Sequence, residues 1–217
     1  MKQFLVIGLG NFGFYLATHL YNKGHDVLAI DKKPDLVQDI KDNVTQAIVA
    51  DATNARTIES LGIKHVDTAV VSIGSVLSNS ILAVLNLQEI GIKHIVAKAI
   101  NDPHRRILEK LGVDEIPFPE KDNAILMAER LHNPSLIDYL PFMKGFSIIE
   151  LSVPKQFIGQ TLRQINLTNR YGVQVVAIKE MLPEKIHFIP KADHVLKGSD
   201  ILILLGSDDG LEQLGSH

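Results

Sequence analysis

Residues 4–13 read FLVIGLGNFG, an apolar run that leads into three closely spaced glycines. The G-x-G-x-x-G spacing at the junction of a predicted strand and a predicted helix is typical of a phosphate-binding turn. Gly8 permits the tight turn, Gly10 lets a pyrophosphate approach the backbone, and Gly13 lets the helix pack closely on the strand. The helix that begins here offers unpaired N–H groups and the positive end of its dipole to a phosphate. The alternative is a tight turn that holds no ligand.

Short β-branched runs alternate with helix-like stretches over the first two-thirds of the chain. Predicted strands cover 4–7, 27–30, 47–49, 68–73 and 95–100, with a short sixth strand at 115–118. Predicted helices cover 12–22, 34–41, 54–61, 76–90, 103–111 and 120–132. Strands that are apolar on both faces and alternate with helices form a parallel sheet covered by helices on both sides. The sequence therefore predicts a Rossmann-like, doubly wound α/β domain over residues 1–134.

The pattern changes after Asn133 and Pro134. We expect residues 135–145 to form a linker or crossover segment. Four predicted strands follow, at 147–153, 173–179, 185–189 and 200–205. One short predicted helix lies among them, at 161–167. This pattern predicts a small α+β domain over residues 146–217.

Composition and charge exclude several classes of function. A net charge of -3 argues against a nucleic-acid partner. The absence of cysteine excludes a disulfide framework, a thiolate zinc site and a cysteine nucleophile. No apolar run approaches the roughly 18 residues of a membrane span, and the first residues lack the layout of a signal peptide. We therefore expect a cytoplasmic protein.

An acidic residue closes the second predicted strand. The carboxylate of Asp31 can accept hydrogen bonds from both ribose hydroxyls of an adenosine. Its charge would repel a 2′-phosphate, which favours NAD, ADP or ATP over NADP. Lys32 and Lys33 follow it, and they either turn inward to meet a phosphate or remain solvated at the strand end.

The ends of the later strands supply further candidates. Asp51 and Thr53 either read the edge of an adenine or cap the next helix. Gly74 would let a ligand lie close to the backbone after strand four. Lys98 lies in an apolar predicted strand, where an unpaired charge is costly, so we expect a phosphate or carboxylate partner for it.

No catalytic arrangement can be identified by spacing. The nine histidines are scattered, and none forms a pair with metal-ligand spacing on a predicted helix. We therefore expect a protein that is not an enzyme. A small NAD-dependent oxidoreductase is the alternative.

Several motifs, in their order and spacing, resemble the regulator-of-conductance-of-potassium (RCK) domain. They are VIGLGNFG at 6–13, VLAID at 27–31, ADAT at 50–53, VAKA at 96–99, ILEKLGVD at 107–114 and PEKD at 119–122. The second half, with Tyr171-Gly172 and Gly198-Ser199-Asp200, resembles the C-terminal subdomain of that family. Within the family, the chain is most similar to the cytosolic gating subunits of Ktr and Trk potassium transporters.

The resemblance implies a nucleotide-sensing regulator and its partners. Such subunits form homodimers and then an octameric ring, which docks at the inner face of the membrane on the membrane-embedded potassium channel or transporter subunit. The exchange of adenine nucleotides, ATP against ADP or NADH against NAD, changes the shape of the ring and the activity of the pore. The apolar dimer contacts would come from residues 124–132 and 136–142.

The resemblance also implies a set of nucleotide contacts. They are Gly8, Gly10, Asn11, Gly13, Asp31, Asp51, Ala52, Ile73, Gly74, Lys98 and His104. Phe12, Lys32 and Thr53 complete the set of candidate nucleotide contacts. His104 is otherwise an ordinary residue early in a helix. Glu120 resembles the acid that supports a divalent cation, although an acid is favoured in the first turn of any helix.

Two positions depart from the family pattern. Asn11 stands where an arginine usually reaches a γ-phosphate across the dimer, which favours ADP, AMP or NAD over ATP. Some members bind cyclic di-AMP through an arginine before the tyrosine-glycine pair. Arg170 is offset from that position, so cyclic di-AMP ranks below the other nucleotides.

Overall fold

The computed structural model describes residues 1–74, 76–132 and 135–215. The chain forms two compact units, Met1–Glu120 and Lys121–His217. Most of the helix at 119–132 therefore groups with the second unit, whereas the sequence assigns it to the first domain. Asn133 and Pro134, at the predicted domain border, lie outside the described residues.

The first unit is built from alternating strands and helices around one sheet. The strands are β1 (Gln3–Ile7), β2 (Asp26–Asp31), β3 (Gln46–Val49), β4 (Thr68–Val71) and β5 (Ile95–Ala97). The helices are α1 (Asn11–Asn22), α2 (Pro34–Ile40), α3 (Ala55–Ser60), α4 (Leu77–Glu89) and α5 (Asp102–Lys110), and a 3-10 turn covers Lys41–Asn43. The sheet is parallel, with the order β3-β2-β1-β4-β5. The predicted Rossmann-like fold is confirmed, and the strand order reverses between β1 and β4.

Both faces of this sheet are buried. Leu5 and Ile7 of β1 belong to an apolar cluster with Leu87 of α4, whereas Val6 packs on the opposite face with Ala17 of α1. Because side chains alternate along a strand, a strand apolar at every position must be covered on both sides. This explains the continuous apolar run that precedes the glycine loop.

The edge of this sheet differs from the prediction in two ways. The predicted sixth strand at 115–118 forms one isolated bridge, between Glu115 and Val96. The strand predicted to reach residue 100 ends at Ala97. Lys98 therefore lies just beyond the carboxyl end of β5 rather than inside an apolar strand, so its side chain is not confined to a face of the sheet.

The second unit is an antiparallel sheet with short helices, as predicted for a small α+β domain. Its strands are β6 (Leu136–Met143), β7 (Phe146–Ser152), β8 (Val173–Met181), β9 (Glu184–Phe188) and β10 (Ile201–Ser207), in the order β6-β7-β10-β8-β9. Its helices are α6 (Pro119–His132, which begins in the first unit), α7 (Leu162–Ile165), α8 (Leu167–Tyr171) and α9 (Asp208–Gly215), and a 3-10 turn covers Lys155–Phe157. No helix in the described ranges is both long and apolar enough to cross a bilayer.

Two local assignments in this unit differ from the sequence prediction. The expected linker at 135–145 contains the edge strand β6, which pairs with β7 through a turn at Gly145. This strand is easily missed because Leu140 and Phe142 are apolar yet exposed, so it lacks an apolar-in, polar-out alternation. The single predicted helix at 161–167 is two short helices, separated where Asn166 adopts a left-handed conformation with φ of 52°.

Candidate functional site

A cavity of about 470 Å³ opens at the carboxyl ends of the strands in the first unit. It lies where the strand order reverses, which is the usual ligand position in open α/β sheets. Its volume is in the range of small-molecule sites. Most of the predicted site residues line it, namely Gly10, Asn11, Phe12, Asp31, Lys32, Asp51, Ala52, Thr53, Ile73, Gly74, Lys98 and Glu120.

Six further residues line the cavity, and the set of predicted contacts includes none of them, although the sequence left open that Lys33 turns inward to meet a phosphate. They are Ile7, Lys33, Leu36, Ala50, Ser72 and Asn79. Four of these lie at the ends of predicted strands or next to a predicted contact, namely Ile7, Lys33, Ala50 and Ser72. Their position at the strand ends is the signal that could have identified them. Leu36 and Asn79 come from the first turns of α2 and α4, where the sequence offers no comparable signal.

The glycine loop is shaped by close packing against the end of β4. Gly8 has a φ of 91°, and a Cβ atom there would lie 2.9 Å from the backbone nitrogen of Ile73. A Cβ atom at Gly13 would overlap the Gly8 carbonyl oxygen and lie 2.8 Å from Ser72 Oγ. Ser72 Oγ donates a hydrogen bond of 3.0 Å to that carbonyl. Gly8 and Gly13 therefore form the frame of the cavity rather than its lining.

Gly10 differs from these two glycines. A Cβ atom there would meet no atom of the described residues within 4 Å, because this side of the loop faces the cavity. Gly10 is also the N-cap of α1, and no side chain in the described part of the chain caps that helix. The first N–H groups of α1 are therefore available to an anion in the cavity.

Asp31 fastens the glycine loop to the end of β2. Its Oδ2 accepts a hydrogen bond of 2.7 Å from the Leu9 N–H, and its Oδ1 accepts one of 2.9 Å from the Lys33 N–H. Each carboxylate oxygen has a second acceptor position, so Asp31 can also accept bonds from ribose hydroxyls. The bond to Leu9 gives this residue a structural role that its position in the sequence does not reveal.

The loop after β3 presents an ionised carboxylate to the cavity. Asp51 Oδ1 accepts hydrogen bonds from the hydroxyl and the backbone N–H of Thr53, at 2.7 and 2.9 Å, and these bonds lower the pKa of Asp51. The cap of α3 is Asn54, whose Oδ1 accepts a bond from the Thr57 N–H. The alternative that Asp51 or Thr53 caps this helix is therefore wrong.

Among the described residues that line the cavity, Lys98 and Glu120 form the one ion pair. Lys98 Nζ lies 2.6 Å from Glu120 Oε1, and only 8% of Lys98 is exposed. The hydrogen bond from Lys98 is the main reason that the pKa of Glu120 is lowered. The expected carboxylate partner of Lys98 is thus Glu120.

Cation binding at Glu120 stays a prediction. Over residues 1–74, 76–132 and 135–215, no group of three His, Asp or Glu side chains is placed to hold a metal ion. A cation at Glu120 would therefore need oxygen ligands from another source, such as the phosphates of a nucleotide.

The structure does not bring His104 to the cavity. Its backbone N–H donates to Asn101 Oδ1, which caps α5, and its side chain is fully buried. Neither ring nitrogen has a hydrogen-bond partner among the described residues, and burial lowers the pKa of His104, which favours the uncharged imidazole. This placement fits an ordinary core residue near the start of a helix.

The cavity combines three kinds of surface. The start of α1 and the ammonium of Lys98 favour phosphate, and Asp31 favours hydroxyl groups. The remaining wall is partly apolar and suits a planar base, with Ile7, Phe12, Leu36, Ala50, Ala52 and Ile73. The arrangement fits the phosphate, sugar and base of a nucleotide.

Two domain families match the chain, one in each half. The TrkA-N domain matches residues 4–119, and the TrkA-C domain matches residues 147–216. The chain is 34% identical over 206 residues to Ktr system potassium uptake protein C of Bacillus subtilis (strain 168), covering 95% of this chain and 92% of the relative. It is 35% identical over 210 residues to Ktr system potassium uptake protein A of Vibrio alginolyticus, covering 97% and 94%.

Solved structures share the fold. The GsuK RCK domain superposes over 99% of this chain with a TM-score of 0.65 and 16% identity, and this chain covers 47% of it. The GsuK channel bound to NAD superposes over 98% of this chain with a TM-score of 0.63 and 17% identity, and this chain covers 38% of it. At this identity the likeness concerns the fold.

Proposed function

Because the chain belongs to the family of Ktr and Trk potassium uptake proteins, in which a TrkA-N domain precedes a TrkA-C domain, we propose that it is the nucleotide-sensing regulatory subunit of a potassium uptake system. The ligand enters the cavity of the first unit, and its binding alters the activity of a membrane-embedded transporter subunit. A ligand shifts an equilibrium between two conformational states of a protein only if it binds those two states with different affinity.

The observation that carries the proposal is the cavity at the reversal of the strand order. It joins an uncapped helix start at Gly10, a carboxylate at Asp31 and a nearly buried ammonium at Lys98. These groups suit the phosphate and ribose of an adenine nucleotide. Phe12, Lys32 and Ile73 also line the cavity and would contact the ligand.

Within the adenine nucleotides, we rank ADP, AMP and NAD or NADH above ATP. Asn11 lines the cavity but carries no charge for a third phosphate. A related fold, the GsuK channel, binds NAD. Cyclic di-AMP ranks lower, because the Arg170 guanidinium lies over the ring of Tyr171 and donates a hydrogen bond of 3.2 Å to its hydroxyl.

The proposal includes assembly into a homo-oligomer, built from dimers and with an octameric ring as the expected form. Apolar side chains on α6 and β6 have half or more of their surface exposed, and a second copy would cover them. They are Ile125, Met127, Leu131, Leu140 and Phe142. The ring would attach to the inner face of the membrane through the transporter subunit, without a nucleic-acid partner.

The small NAD-dependent oxidoreductase that the sequence leaves open is not favoured. Curated relatives that match 95% and 97% of this chain are potassium uptake proteins. Steady turnover of NADH with small alcohols or acids would contradict the regulatory function.

The test is calorimetric titration of ligand-stripped protein with ADP, ATP, NADH and cyclic di-AMP, with the particle size measured by light scattering. Asp31→Ala should weaken adenine-nucleotide binding about tenfold, since it removes one or two hydrogen bonds to hydroxyls. Asp39→Ala, which changes an exposed acid of α2 outside the cavity, is the matched control and should bind as the wild type does. Equal affinity of the two variants would remove Asp31 from the site.

A further inference from the structure

We propose that Asn86 of α4 is a positioning residue for the cavity. It fixes the turn that carries Asp51, and Asp51 accepts a hydrogen bond from the exocyclic amino group of the adenine. The inference rests on the proposed nucleotide binding and deepens it, because it names the part of the ligand that is recognised and the residue that holds the recognising group in place.

The turn that carries Asp51 covers residues 50–53 and follows β3. The Ala50 N–H donates a hydrogen bond of 3.0 Å to the Asp31 carbonyl, which joins the start of the turn to β2. The two bonds from Thr53 to Asp51 Oδ1 lie within the turn. They fix the side chain of Asp51 relative to its own backbone, but they do not fix the turn relative to the rest of the cavity.

Asn86 joins the middle of this turn to the helix behind it. Its Nδ2 donates a hydrogen bond of 2.8 Å to the Ala52 carbonyl, across 34 residues of the chain. Asn86 is 7% exposed and Ala52 is 4% exposed, so water has little access to replace this bond. Ala52 lies between Asp51 and Thr53, which both line the cavity. A shift of the Ala52 carbonyl therefore moves the carboxylate of Asp51.

The carboxylate of Asp51 has one oxygen left for a ligand. Thr53 occupies Oδ1, whereas Oδ2 makes no hydrogen bond to any described residue. The lowered pKa of Asp51 keeps the group ionised, and an ionised carboxylate only accepts hydrogen bonds. The exocyclic amino group is the N–H donor of an adenine that is joined to ribose. Ala50 and Leu36 also line the cavity and offer apolar surface to the ring.

The direction of the carboxylate decides whether this bond forms. A hydrogen bond weakens steeply when its angle falls toward about 120°. Asp51 is exposed, so a misplaced carboxylate is solvated by water instead of following the ligand. Asn86 therefore contributes to the recognition of the amino group, although it is not among the residues that line the cavity.

The experiment compares AMP with purine riboside 5′-monophosphate, which differs from AMP only in lacking the amino group. In calorimetric titration the wild type should bind AMP about fivefold more tightly, within the range for one hydrogen bond. Asn86→Leu keeps the approximate size of the side chain without its donor, and it should reduce this preference to less than about twofold. Asn86→Ala is measured beside it and should reduce the preference in the same way, even if leucine does not fit the space.

Val27→Ala is the matched control for a general loss of stability. Val27 is buried near the start of β2, away from the cavity, and it packs with Val6 and Ala17 on the face of the sheet opposite to Ala52. Its truncation should lower the Tm, as the Asn86 variants do, but it should leave the preference for AMP unchanged.

A double-mutant cycle tests whether Asn86 acts through Asp51. Asp51→Asn should abolish the preference by itself, because the two donors of Thr53 hold the amide oxygen and leave the amide nitrogen, a donor, to face the amino group. In that background, Asn86→Leu should not change the preference further.

The outcomes separate the inference from the function on which it rests. If the wild type binds neither ligand, the proposed function fails and the inference fails with it. If both ligands bind with equal affinity, Asp51 does not recognise the amino group, so the inference is wrong and nucleotide sensing stands. The inference is also wrong if the Asn86 variants keep the preference for AMP, or if Val27→Ala loses it to the same extent.

Discussion

Gly10 and Gly13 lie three residues apart at the start of α1, yet alanine at each should have opposite consequences. At Gly13 the new methyl group would overlap the Gly8 carbonyl oxygen and crowd Ser72 Oγ at 2.8 Å. At Gly10 it would meet no atom of the described residues within 4 Å, and the φ of -65° suits any L residue. Gly13→Ala therefore tests the packing of the fold, and Gly10→Ala tests the proposed placement of a phosphate beside the loop.

The expected magnitudes follow from this geometry. Relief of the overlap at Gly13 requires α1 to move away from β1 and β4, which costs about 1–3 kcal/mol or more. For a chain of this length this corresponds to a fall in Tm of about 2–12 °C. At Gly10, the lower entropy of the unfolded chain with alanine offsets the poorer helix cap, so stability should stay within about 1 kcal/mol of the wild type.

For ligand binding, Gly10→Ala is the variant expected to show the specific effect. A methyl group at Gly10 occupies the approach of the phosphate to the backbone, so Gly10→Ala should weaken ADP binding about tenfold or more while adenosine binding changes little. Thermal unfolding and calorimetric titration of both variants give the two readouts. Normal ADP affinity of Gly10→Ala would refute the placement of phosphate at this loop, and normal stability of Gly13→Ala would refute the packing argument.

Two further predictions concern groups behind the cavity and in the second unit. Asn86 of α4 is buried and donates a hydrogen bond of 2.8 Å to the carbonyl of Ala52, so Asn86→Ala should cost about 1–3 kcal/mol in denaturant unfolding. Ser78→Ala, at an exposed position of the same helix, should cost less than about 0.5 kcal/mol. Glu180 accepts a hydrogen bond from Lys197, and this bond holds the pKa of Glu180 below its ordinary value of 4.5. The Nε2 atoms of His187 and His194 also face the carboxylate, at 3.3 and 3.9 Å from Glu180 Oε1. Because the pKa is lower in the folded state, the stabilisation is present above about pH 4.5 and is lost as the pH falls through the folded-state value. The free energy of opening that hydrogen exchange reports for the β8 amides should therefore fall less steeply with acid in Glu180→Gln than in the wild type or in Glu184→Gln, and equal acid dependence would contradict this role.

The fold of the first unit could be predicted because its signals are local. The apolar run before Gly8, the glycine spacing and the acid at Asp31 each lie within a few residues of the element that they define. The ends of parallel strands meet at one edge, so the candidate contacts after β1 to β5 could be gathered without knowledge of their geometry. His104 shows the limit of this reasoning, since its position early in α5 does not reveal that its ring is directed into the core.

The sequence by itself determined the alternation of strands and helices, the glycine-rich turn and the family, because these depend on the order and spacing of neighbouring residues. Only the tertiary structure decided which distant groups meet. The bond between Leu9 and Asp31 and the pair of Lys98 with Glu120 each join residues 22 apart, and Ser72 reaches Gly8 across 64 residues. Such contacts depend on how elements pack, and no local pattern encodes them. The edge strand β6 is a similar case, because its pairing with β7 rather than any alternation of its own side chains makes it a strand.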